Sequence, residues 1–165
     1  MTTKAATNTV DFFAVAPAQM KAWYTASIAV NTSVEPKLAD LVKIRASQIN
    51  GCAHCLNMHT KEALDKGETV QRLSVLPAWR EAPLFSDRER AALAWTEAMT
   101  RLSEGRDRES AYEALKAEFS EEEQVKLTLL INVINGWNRL SVGFHAFLDG
   151  EALKAAMRAV AKLAA

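Results

Sequence analysis

Asn50-Gly51-Cys52-Ala53-His54-Cys55-Leu56-Asn57-Met58-His59 joins two helical patterns and carries both cysteines of the chain. Upstream, Pro36 opens a helix through Asn50, and its apolar positions Leu38, Leu41, Val42, Ile44 and Ile49 mostly follow helical spacing. Asn50-Gly51 breaks that helix. Downstream, the pattern predicts another helix from about Cys52 to Lys66, stopped by Gly67. Two helices joined by a two-residue break place the cysteine pair at the start of the second one.

The same reading extends in both directions. Pro17 is placed as a first-turn residue of a helix to about Val30. Glu68 to Phe85 reads as a short helix and a connection carrying Pro77 and Pro83. Ser86-Asp87-Arg88-Glu89 and Ser120-Glu121-Glu122-Glu123 are capping boxes. The first starts a helix with Leu93, Trp95, Met99 and Leu102; the second starts a long apolar helix to about Phe144. A shorter helix is expected from about Glu109 to Phe119, and an Ala-rich one from Glu151 onward. No segment alternates with period two between turn signals, so the fold class is all-α. No linker or compositional shift marks a boundary, and residues 1–165 read as a single domain.

Composition narrows the function classes. The chain has 165 residues, 49% of them hydrophobic, with twenty basic residues against twenty acidic ones. That is enough apolar material to bury a core without disulfide staples, and it excludes a disordered chain. The charge balance argues against a nucleic-acid or polybasic membrane binder. No apolar run approaches a membrane span of roughly 18–20 residues. The first fifteen residues lack a signal-peptide core. A cytoplasmic, reducing setting is therefore expected, where two cysteines three apart point to redox or metal chemistry.

At about 100° per residue, Cys52, Cys55 and His59 fall within about 60° of one another on a helix, with His54 flanking them. Free amides and the dipole at a helix N-terminus stabilise a thiolate there. That argument favours Cys52 as the lower-pKa thiol. His59 can take the proton of Cys55, which favours Cys55 as the activated nucleophile. Two adjacent thiols allow a sulfenic acid on one to condense with the other. A third group is expected to orient the histidine; Asp40 is the best candidate and Glu35 a weaker one. Cys52, Cys55 and His59 also supply three zinc-type ligands, but nothing in the sequence brings His145 to them as a fourth. Asn132, Asn135 and Asn138 form a polar stripe on an apolar helix, read as an interface or a packing contact.

From Asp40 to His59 the chain resembles the alkyl hydroperoxidase D family, within the carboxymuconolactone decarboxylase-like superfamily. Glu89-Arg90-Ala91-Ala92-Leu93-Ala94-Trp95-Thr96 and Asn135-Gly136-Trp137-Asn138-Arg139 continue the resemblance, which covers roughly residues 36–145. It implies an all-helical fold, commonly assembled as a homo-oligomer. It also implies peroxidase activity without haem, metal or flavin, so no cofactor is expected. By matching position, Cys55 is the peroxide-reactive cysteine, Cys52 its resolving partner and His59 the proton relay. Asp40 matches the family's relay glutamate, one methylene shorter. The expected reaction is reduction of a hydroperoxide in an apolar pocket, followed by exchange at Cys52 with a thiol or dithiol protein reductant. Two rivals are an adaptor passing electrons to a separate peroxidase and a non-enzymatic redox sensor.

Overall fold

A computed structural model describes residues 10–105 and 107–147. Within them the chain is helical and has no strand, as the absence of period-two patterning predicts. The elements are α1 (Phe12–Val15), α2 (Pro17–Asn31), α3 (Pro36–Asn50), α4 (Ala53–Asp65), α5 (Val70–Val75), α6 (Asp87–Thr100), α7 (Arg108–Glu118) and α8 (Glu121–Gly143). Short 3-10 turns follow α5 at Leu76–Ala78 and α6 at Leu102–Glu104. The helix expected from Glu151 lies outside the described residues.

Local signals set most of these boundaries. Pro17 and Pro36 occupy first-turn positions, where a missing N–H costs nothing. Both capping boxes form, with Ser86 and Ser120 accepting from the backbone of Glu89 and Glu123. α1 went unread in the sequence. It is a single turn, too short for periodicity, held by Asp11 accepting from the N–H groups of Phe13 and Ala14.

Helix α3 is the axis of the molecule. Every residue from Leu38 to Ser47 is buried, and the helix packs on α4, α6 and α8. Its successive faces feed different parts of the core. Leu38, Ala39 and Val42 meet Ala91 and Ala92 of α6, Leu115 of α7, and Leu127 and Ile131 of α8. Leu41 and Ile44 meet Ala63, Leu76, Trp79 and Leu93. Each fully buried leucine or isoleucine contributes about 1.5–3 kcal/mol relative to exposure. A helix buried all round must also satisfy its polar residues. Arg45 does so through Glu97, whose Oε1 accepts from Arg45 Nε at 2.8 Å and from Trp79 Nε1 at 2.9 Å. Arg80 donates to the other oxygen, Oε2, at 2.5 Å. This ties α3, α6 and the segment after α5 together through one carboxylate.

Candidate active site

The site begins at the break between α3 and α4. Gly51 adopts φ +65°, a left-handed conformation that favours glycine, and ends α3. The Cys52 N–H returns to the Ser47 carbonyl at 3.0 Å, which closes the turn. Asn50 fixes its position. Its side-chain amide donates to Oδ1 of both Asn135 and Asn138, each at 2.8 Å. Asn138 in turn donates to Ser47 Oγ at 3.0 Å, and Asn135 to Thr100 Oγ1 at 3.0 Å. The buried part of the asparagine stripe is therefore a packing contact that pins the turn to α8. Asn132 faces outward and takes no part.

That turn sets Cys52 as the N-cap of α4, with its Sγ accepting from the Cys55 N–H at 3.2 Å. Cys52 and Cys55 are joined as a disulfide, with Cα atoms 5.4 Å apart. Each is about 1% exposed. Cys52, the expected point of exchange with a thiol or dithiol protein reductant, is thus covered and not at the surface. Cys52 packs in one buried cluster with Ala46 of α3 and Ile134 of α8, because the Asn50 contacts draw the α4 terminus under α8.

Cys55 lines a cavity of about 510 Å³; Cys52 does not. Phe12, Phe13, Ile28, Val133, Ile134 and Trp137 give that cavity an apolar, largely aromatic wall. Its polar edge is made by His54, His59, Glu62, Lys43 and Lys66. The Ser141 hydroxyl of α8 lies 3.9 Å from Cys55 Sγ. His54 stands edge-on to Phe147, with ring centroids 6.5 Å apart. Its pKa is lowered by burial and by the neighbouring His59.

His59, one turn beyond Cys55, is buried on the same cavity. Its Nδ1 lies 2.8 Å from Glu62 Oε2. Burial pushes the imidazole pKa below its ordinary value and Lys43 adds to the effect, while Glu62 and Asp40 pull back. Burial pushes the Glu62 carboxyl up. The His59 hydrogen bond and the charges of Lys43 and Lys66 outweigh that and hold it ionised. An ionised carboxylate only accepts, so Nδ1 carries the proton and Nε2 is the free base.

Asp40 sits elsewhere than the sequence led us to expect. Its buried carboxylate accepts from Lys66 Nζ at 2.8 and 3.0 Å and pairs with Lys43 at 2.9 Å. Lys43 also lies 3.9 Å from Glu62. Asp40 therefore reaches the histidine through the field and through Lys43, not by direct contact. Glu35, the other candidate acid, is the exposed N-cap residue of α3. Glu62 was missed in the sequence although its signal was present: it follows His59 by three residues on one helix, where side chains meet. Among the described residues no group of three or more His, Cys, Asp or Glu side chains is placed to hold a metal ion.

Comparison with known proteins agrees with this architecture. A family model described as the carboxymuconolactone decarboxylase family matches residues 15–98. The chain is 39% identical over 138 residues to YdfG of Bacillus subtilis (strain 168), an uncharacterized protein, spanning 81% of this chain and 91% of the relative. It is 29% identical over 116 residues to YnjA of Escherichia coli (strain K12), spanning 70% of this chain and 61% of that protein. A crystal structure from Agrobacterium tumefaciens superposes with TM-score 0.82 at 39% identity, over 85% of this chain and 97% of that one. That protein is of unknown function and provisionally called an antioxidant defence protein AhpD. The debrominase Bmp8 superposes with TM-score 0.73 at 18% identity, over 90% of this chain and 78% of its own, a likeness of fold alone.

Proposed function

The chain belongs to the carboxymuconolactone decarboxylase family, and from that premise we propose that it is an AhpD-like, thiol-dependent hydroperoxidase. The observation that carries this reading is the placement of Cys55 and His59 on one apolar cavity, with Cys52 within bonding reach behind Cys55. In the reduced protein, Nε2 of His59 takes the Cys55 proton and the thiolate attacks the terminal peroxide oxygen. The O–O bond breaks, the alcohol leaves with the proton from His59, and Cys55 carries a sulfenic acid. The Cys52 thiolate, stabilised at the N-cap, then attacks Cys55 Sγ. The S–O bond breaks, hydroxide takes up the proton that Cys52 released and leaves as water, and the disulfide forms. The peroxide gains two electrons and the two thiols lose them. Ser141 and the amide of Cys55 are the hydrogen-bonding groups at the two sulfurs.

The burial of both sulfurs favours this reading over an electron adaptor. An adaptor must present one sulfur to another protein's active site, and each cysteine here is about 1% exposed. A one-event redox sensor has no need of a substrate-sized cavity beside its thiol.

The test is peroxide consumption by metal-free, pre-reduced protein recycled by dithiothreitol. Catalytic turnover that vanishes in Cys55→Ser, with a trapped sulfenic acid in Cys52→Ser, is the expected result. Turnover no faster than that of dithiothreitol alone would overturn the proposal.

A further inference from the structure

Reduction of the disulfide poses a separate problem, because a reductant must reach a sulfur that the surface does not offer. Exchange requires a thiolate to approach one sulfur and expel the other. Cys52 is enclosed by Ala46, Ile134 and Cys55 itself, and takes no part in lining the cavity. Cys55 lines it, with a hydroxyl on one side and His59 one turn away. The polarity of the pair points the same way. Cys52 Sγ already accepts the Cys55 N–H at the α4 N-terminus, so Cys52 is the sulfur on which negative charge is best held. A leaving thiolate that is stabilised leaves faster.

We propose, resting on the hydroperoxidase reading, that a low-molecular-weight thiol enters the cavity and attacks Cys55, in place of a protein dithiol docking at Cys52. His59 takes the proton of the entering thiol. The thiolate forms a bond to Cys55 Sγ, the Cys52–Cys55 bond breaks, and its electron pair goes to Cys52 Sγ. A second thiol, or the second sulfur of a dithiol, attacks the outer sulfur of the mixed disulfide and releases the Cys55 thiolate. Two thiols become one small disulfide, and the two protons they bring end on Cys52 and Cys55. A cavity of about 510 Å³ lies within the range of small-molecule sites. Hydroperoxide and reductant then occupy the same space in turn, and each inhibits at high concentration by excluding the other.

The test uses the full chain in its oxidised form, without peroxide. A brief pulse of 2-mercaptoethanol is quenched with excess N-ethylmaleimide, and fragment-ion mass spectrometry locates the adducts. The expected product carries mercaptoethanol on Cys55 and maleimide on Cys52, at least tenfold over the reverse. In parallel, reduction by dithiothreitol and by a reduced thioredoxin is timed for the wild type and Ile28→Trp. Ile28 is 45% exposed at the cavity wall, so a larger ring there narrows the cavity without entering the core. Dithiothreitol should reduce the wild type faster than equimolar thioredoxin and should slow about tenfold in Ile28→Trp. Mercaptoethanol on Cys52, or thioredoxin outrunning dithiothreitol with no effect of Ile28→Trp, would overturn the inference. Adducts on Cys55 in a protein that consumes no peroxide would uphold the route of reduction and sink the hydroperoxidase reading instead.

Discussion

Nδ1 of His59 lies 2.8 Å from Oε2 of Glu62, one turn further along α4, while the carboxylate of Asp40 is taken up by Lys43 and Lys66. The two acids therefore have separable jobs. Glu62 fixes the tautomer that leaves Nε2 free. Asp40 neutralises a buried lysine and an ammonium at the α4 terminus. Glu62→Gln should lower peroxide turnover by about 10²-fold, in the range of an acid–base contribution. It should also move the acid limb of the kcat/KM profile. In the proposed cycle activity needs neutral His59, whose pKa already lies below its ordinary value. Removing the carboxylate that raises it sends the limb to lower pH. Asp40→Asn should change turnover less and cost stability more, about 3–5 kcal/mol, because buried Lys43 loses its paired charge. Paired pH–rate profiles and urea titrations of the two variants check the division. Equal effects on both readouts would refute it.

The cavity wall makes a prediction about substrate size. Ile28→Trp should raise KM for an aryl-substituted hydroperoxide about tenfold or more, the scale of a few hydrophobic contacts in a pocket. The kcat/KM for hydrogen peroxide, which needs little of the apolar wall and does not depend on the rate of disulfide reduction, should change by about twofold at most. Steady-state kinetics with the two peroxides decide this. A uniform loss of kcat/KM for both would mean that the ring disturbs the thiol and not the wall.

Much of this was legible in local sequence signals. Pro36, Gly51, Ser86 and Ser120 each act within one turn of themselves, so the helix boundaries they set could be read without tertiary information. The grouping of Cys52, Cys55 and His59 followed from helical spacing. What could not be read was how α4 lies against its neighbours. The rotation of α4 over α3 decides that Asp40 faces Lys43 and Lys66 while Glu62 takes the histidine. The contact of Asn50 with Asn135 and Asn138, across more than eighty residues, decides that Cys52 is covered. A helix N-terminus is exposed by default, and nothing local announces that α8 lies over this one.

Glu97 should govern acid stability. Burial pushes its carboxyl up, but hydrogen bonds from Arg80, Trp79 and Arg45 outweigh burial and hold it below the ordinary value of 4.5. A depressed carboxyl contributes stability that is complete above its unfolded pKa. That contribution is lost as pH falls from about 4.5 toward the folded value. Glu97→Gln should cost about 3–5 kcal/mol at neutral pH, since Arg45 stays buried without its charge partner. The variant should also lose part of the slope of stability against pH below 4.5. Denaturant titrations at several pH values measure both. An unchanged slope would show that other carboxylates carry the acid transition.

Gly136 tests the packing of α8 against α2. A Cβ at this position would lie 2.6 Å from Cζ2 and 3.1 Å from Cη2 of Trp23, closer than carbon atoms approach without displacement. In an exposed helix, glycine to alanine gains about 1 kcal/mol in propensity. Here the methyl must push an indole whose neighbour is Trp137, ring centroids 6.1 Å away. Overpacking of this kind costs about 1–3 kcal/mol, so after the gain in propensity Gly136→Ala should be net destabilising by up to about 2 kcal/mol. Trp137 lines the cavity and donates from Nε1 to Ser27 Oγ at 3.0 Å, so the displacement should reach the substrate wall. Thermal denaturation measures the first effect, and a change in tryptophan emission with a raised KM for a bulky hydroperoxide measures the second. A stabilised variant with unchanged emission would mean that Trp23 has room to turn away and that the close approach is not a constraint.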